Sequence, residues 1–117
     1  MEEDDRLREA EWAAPELSMI ALIANPKSFH GMEVVVTGFF RLAPEHQAIY
    51  ISREHAEHAL SANGLWLEFS KETSKQLPHW MGRYIRVRGT FNARSFGHLS
   101  GWAGTIENVT EIQPHVY

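Results

Sequence analysis

Gly31-Met32-Glu33-Val34-Val35-Val36-Thr37-Gly38-Phe39-Phe40 reads G-x-x-[V/I]-x-V-x-G-x-F. The same pattern returns 51 residues later as Gly82-Arg83-Tyr84-Ile85-Arg86-Val87-Arg88-Gly89-Thr90-Phe91. Both stretches are rich in β-branched and aromatic residues, which favour strands. Each follows a turn glycine, alternates apolar residues on one face and carries an internal glycine. A glycine inside a strand marks a bulge or a sharp bend. Two copies cannot make a solenoid. Two long strands that bend at glycine are instead what a small closed sheet requires.

Working outward, Met32 to Leu42 and Arg83 to Asn92 are strands. Three more are expected at Gln47 to Ser52, Leu65 to Phe69 and Trp102 to Ile112. Ser52 is placed to cap a short helix reaching about Leu60, and Ser70 to Trp80 is a polar connection with one helical turn. Ala93 to Gly101 is a flexible loop. Before the first strand, Pro15 suits the first turn of a helix whose apolar face is Met19, Ile20, Leu22 and Ile23 and which stops at Asn25-Pro26. The expected fold is mainly β: a five-stranded OB-fold-like barrel with short helices, preceded by an N-terminal helix. The two echoing strands would be neighbours in it. A Greek-key sandwich and an SH3-like barrel are the rival architectures.

The chain has 117 residues, enough for one domain. Cysteine is absent, so disulfides, thiolate metal sites and cysteine nucleophiles are excluded. No apolar run approaches the length of a membrane span. The net charge of −4 is unevenly spread. Residues 1–16 hold Glu2, Glu3, Asp4, Asp5, Glu9, Glu11 and Glu16 against Arg6 and Arg8, a balance of −5, so residues 17–117 stand at +1. The chain is therefore divided into an acidic arm or helix over 1–16 and a single domain over 17–117. An acidic start does not fit a signal peptide, and a cytoplasmic protein is expected.

Seven histidines are present, and His55 and His58 are three apart on an expected helix. They are weak metal candidates, because zinc requires further ligands that no spacing supplies. A solvated helix face that carries two histidines is the plainer reading. No phosphate loop, dinucleotide fingerprint or nucleophile elbow occurs. No cofactor is expected, and the chain is expected not to be an enzyme.

Arg83, Arg86, Arg88 and Arg94 fall close together in sequence, and Trp80, Tyr84 and Trp102 are expected near them. Arginines with aromatics on a β barrel suit single-stranded nucleic acid. Trp, Tyr and Arg also dominate protein-binding hot spots. Against both stands the plainer alternative, arginines that solvate an outer face and pair with neighbouring glutamates. The body holds only three lysines, a small basic excess for a nucleic-acid binder.

The run from Leu22 to Phe39, with Ala48-Ile49-Tyr50-Ile51-Ser52, Asn63-Gly64-Leu65-Trp66-Leu67, and Gly89-Thr90-Phe91-Asn92-Ala93 followed by Gly97-His98, resembles a group of small uncharacterised bacterial proteins. The resemblance covers residues 18–112. It implies an OB-fold-like domain, and some such proteins are encoded beside bacterial toxins, which implies an immunity or antitoxin role. A protein partner, such as a basic toxin, is then expected, and an acidic arm would speed the encounter. Single-stranded nucleic acid is the alternative ligand.

Overall fold

The computed structural model describes Trp12 and residues 14–115. Six strands form one mixed sheet: β1 (Glu16–Leu17), β2 (Glu33–Ala43), β3 (His46–Tyr50), β4 (Gly64–Phe69), β5 (Tyr84–Asn92) and β6 (Thr105–Pro114). The pairings run β2–β3, β3–β4, β4–β6, β6–β5 and β5–β2, so hydrogen bonds close a ring of five strands. Only β4–β6 is parallel within that ring. Short helices sit between strands: α1 (Met19–Ala24), α2 (Pro26–Phe29), α3 (Arg53–Glu57), α4 (Lys71–Ser74) and α5 (Leu77–Trp80).

The echo has a physical explanation in the β2–β5 register. The two copies pair antiparallel with Val36 opposite Val87. That centre sets Val34 opposite Gly89 and Ile85 opposite Gly38. Each branched side chain thus faces the partner's glycine. Gly89 also lies where the β5–β6 register shifts, and a Cβ there would stand 2.6 Å from the Glu107 carbonyl oxygen. At Phe39, β2 passes from its β5 neighbour to its β3 neighbour, so the bend expected at Gly38 falls where the strand changes partner.

Inside the ring, Val34, Val36, Phe40, Ile49, Leu65, Leu67, Ile85, Val87, Phe91 and Ile106 are fully buried. Met19 and Leu22 of α1 and Leu77 of α5 join the same cluster. Burying each such side chain contributes roughly 1.5–3 kcal/mol before entropy is subtracted. A second cluster lies outside the ring, where Ala56 of α3 covers Phe39, Ala48 and Tyr50, with Trp102 against it.

Three expectations are corrected. The sheet has six strands rather than five, because Glu16–Leu17 pairs parallel with Val35 and Val36 at the free edge of β2. An open edge offers unpaired backbone groups, and the Val35 N–H donates to the Pro15 carbonyl at 2.9 Å. The helix therefore starts after Ser18, whose Oγ accepts from the Ala21 N–H at 3.1 Å, and not at Pro15. The helix after Ser52 ends at Glu57 instead of Leu60, since Ala59 takes a positive φ of 50°. An arm helix before Trp12 falls outside the described residues. Among the described residues, no helix is long and apolar enough to cross a membrane.

Candidate functional site

The arginine face comes first. Arg86 and Arg88 alternate with core residues on β5 and point outward, as expected. They are not open. Trp12 is only 4% exposed, and the two guanidinium carbons stand 5.2 Å and 5.7 Å from its ring centroid. Arg86 also reaches Glu16 at 3.3 Å and Gln113 at 3.1 Å. Arg88 reaches Glu111 at 3.0 Å and Glu33 at 3.9 Å. Val35, opposite Arg88 and on the same outward face, is fully buried. Trp12 and the strand Glu16–Leu17 thus cover this face, and the arginines neutralise nearby glutamates. Of the acidic arm, Glu2, Glu3, Asp4, Asp5, Glu9 and Glu11 lie outside the described residues.

The other candidates do not join Arg86 and Arg88. Arg83 lies over the Trp80 ring at 4.9 Å and contacts the His79 Nε2 at 3.3 Å. Trp80 is half-buried against the main core. Tyr84 stacks edge-on against Phe39 at 5.2 Å, and its hydroxyl accepts from the Arg53 N–H at 3.1 Å. Arg94 is exposed in the β5–β6 loop beside Lys27 and His30. The expected single patch is thereby divided among separate places. Closeness in sequence misled because β5 ends at Asn92, and the following loop carries Arg94 and Trp102 away from the strand's outer face.

Trp102 instead helps build a surface that the sequence pattern did not assemble. Its ring meets Trp66 at 4.9 Å and His46 at 5.2 Å, both edge-on. His98 stacks on Trp66 at 6.2 Å, and His46 stacks on Tyr50 at 5.8 Å. Strand alternation explains Trp66: Leu65 and Leu67 point into the ring, so Trp66 points out. Tyr50 follows the same logic beside Ile49. An outward tryptophan between two core leucines was the signal available in the sequence.

Two loops frame these rings. The β2–β3 turn contains Glu45 at φ 56°, and the β5–β6 loop contains Gly97, Leu99 and Ser100 at φ 72°, 57° and 56°. Such backbone is costly for non-glycine residues and collects at functional sites. His98 and Glu45 join the two loops at 3.3 Å. Thr105 anchors the longer loop by donating to the Ser95 carbonyl at 2.9 Å. The loop lifts Leu99 to 87% exposure.

Electrostatics give the rings a fixed polarity. Burial, then the nearby Arg41 charge, lowers the His46 pKa from 6.5. Burial raises the Tyr50 pKa above 10.0, opposed by the Trp102 indole and by Arg41. A neutral phenol and a neutral imidazole therefore share a hydrogen bond, Tyr50 Oη with His46 Nε2 at 2.9 Å. The Trp102 N–H is turned toward the same phenol without closing a hydrogen bond of good geometry. Arg41 is engaged with the Ala56 carbonyl at 2.7 Å.

His55 is half-buried on α3 and His58 is exposed at its C-cap. Among the described residues, no three His, Asp or Glu side chains converge as a metal site. No family model matches this chain, and no curated protein or solved structure is significantly similar to it.

Proposed function

We propose that this chain is a non-catalytic protein-binding module with an OB-fold-like barrel, and that its partner docks on the Trp66–Trp102–His46–His98 surface beneath Leu99. Support for the barrel comes from the closed strand ring with one parallel pairing between its third and fifth strands. In that architecture the second and third strands and the loops beside them are the usual binding face, which here means β3, β4 and the loops carrying Glu45 and His98. The observation that carries the function is the joining of stacked aromatic rings to a strained loop that exposes a leucine. Large rigid aromatics beside an exposed aliphatic group match the composition of binding hot spots.

A protein fits this surface better than a nucleic acid. Single-strand binders line their stacking platform with a cationic track. Here the framing charges are Glu45, paired with His98, and Arg41, held by a backbone carbonyl. Arg86 and Arg88, the pair that would serve a nucleic acid, are occupied by Trp12 and glutamates. The immunity or antitoxin form of the proposal adds a basic partner, and its support is the balance of −5 over residues 1–16.

The test is affinity capture from bacterial lysate with wild-type, Leu99→Asp and Arg86→Ala/Arg88→Ala chains. A partner retained by wild type and by the arginine variant, but weakened about 30-fold or more by Leu99→Asp, is expected for a hot-spot residue. Capture lost only with the arginine variant, or tight oligonucleotide binding at low salt that fades steeply as salt rises, overturns the proposal.

A further inference from the structure

A groove of about 590 Å³ lies between α2 and the β5–β6 loop, apart from the aromatic surface above. That volume falls in the range of small-molecule sites, which are mostly apolar with a few placed polar groups. Pro26, Ala93, Phe96 and Ala103 supply apolar wall, and Lys27, Arg94 and His30 supply the polar groups. All the charged lining residues are cationic. Lys27 and Arg94 are exposed, and neither has an ion-pair partner among the described residues.

His30 adds a third donor through its hydrogen bonding. Its Nδ1 accepts from the Ala93 N–H at 3.1 Å. A nitrogen that accepts carries no proton, so in this contact the hydrogen sits on Nε2. Three donors without an acceptor carboxylate select an anion. The apolar walls select a body attached to it. Phe96, 44% exposed, offers that body a ring face.

We propose that this groove binds a small carboxylate carrying an aromatic or short aliphatic body, its oxygens meeting Arg94 and Lys27 and its body lying against Phe96 and Pro26. A carboxylate suits the arginine fork. A bare phosphate would leave the apolar wall unused. The proposal does not depend on the protein-binding reading, because the two surfaces share none of the residues named for contact.

The experiment is a two-dimensional amide NMR titration of the full chain with phenylacetate, phenylacetamide and inorganic phosphate. Phenylacetate is expected to shift the Ala93, Arg94 and Phe96 amides. The amide, which keeps the ring and lacks the charge, should bind weaker by a factor of about ten or more. Arg94→Ala and Lys27→Ala should each weaken phenylacetate several-fold while leaving the Val36 and Val87 signals in place, which reports an intact core. Equal binding of acid and amide, equal binding of phosphate and phenylacetate, unchanged affinity in Arg94→Ala, or no shift at about 10 mM phenylacetate each overturns the proposal.

Discussion

Replacing Gly97 with alanine is expected to destabilise the chain by about 3 kcal/mol, and the figure comes from two separate costs. Gly97 has φ 72° and ψ −166°, a region open essentially to glycine alone. Holding an L-residue there costs of order 1–3 kcal/mol. The new Cβ would also stand 2.7 Å from Trp66 Cβ and 2.8 Å from its Cγ. Carbon atoms prefer about 3.5–4.0 Å, and overpacking of this kind costs roughly 1–3 kcal/mol. Trp66 cannot simply step aside, since its ring lies between Trp102 and His98. The loop can escape only by lifting, which gives up the His98 stack. Urea unfolding followed by tryptophan fluorescence reads the change. With a slope of about 1.5 kcal/mol/M, the midpoint should fall by about 2 M. Gly101→Ala is the control: its φ is −91° and the nearest atom to a new Cβ is 3.6 Å away. That change should stay within about 0.5 kcal/mol. A Gly97→Ala midpoint shift under about 0.3 M, with the slope unchanged, would refute the claim that the loop is seated on Trp66.

Trp12→Ala should destabilise by about 2–3 kcal/mol, below the 3–5 typical of a core tryptophan because a segment on the outer face is removed. A thermal melt would show this, and amide exchange at Val35 should quicken as its bond to Pro15 weakens. Acid should destabilise the fold through His46. Its folded pKa lies below the ordinary 6.5, so the unfolded chain binds the proton more readily as pH falls below 6.5. Stability is then fully present above that value and declines beneath it. In urea midpoints measured across pH 5–8, His46→Gln should flatten the decline attributable to this site, and an unchanged slope would count against the assignment.

The echoing strands were legible because their demand is local and repeated: branched residues at alternate positions, with a glycine for the partner's side chain to face. Antiparallel pairing centred on Val36 and Val87 satisfies both copies at once. The strand at Glu16–Leu17 was not legible. Two residues carry no period, and their pairing depends on the free edge of β2 created elsewhere in the fold. The arginine face was legible as an outward face, but its cover was not, because Trp12 lies more than 70 positions before Arg86. The aromatic surface was half legible. Alternation places Trp66 and Tyr50 outside the ring, yet only the path of the β5–β6 loop brings Trp102 and His98 onto them.

Hydrogen exchange of the chain with and without its captured partner tests the central claim most directly. Slowed exchange confined to residues 45–50, 64–69 and 96–102, with residues 12–17 and 84–92 unchanged, is the expected result. Protection centred on residues 12–17 and 84–92 would contradict it, and would place binding on the arginine face after displacement of Trp12.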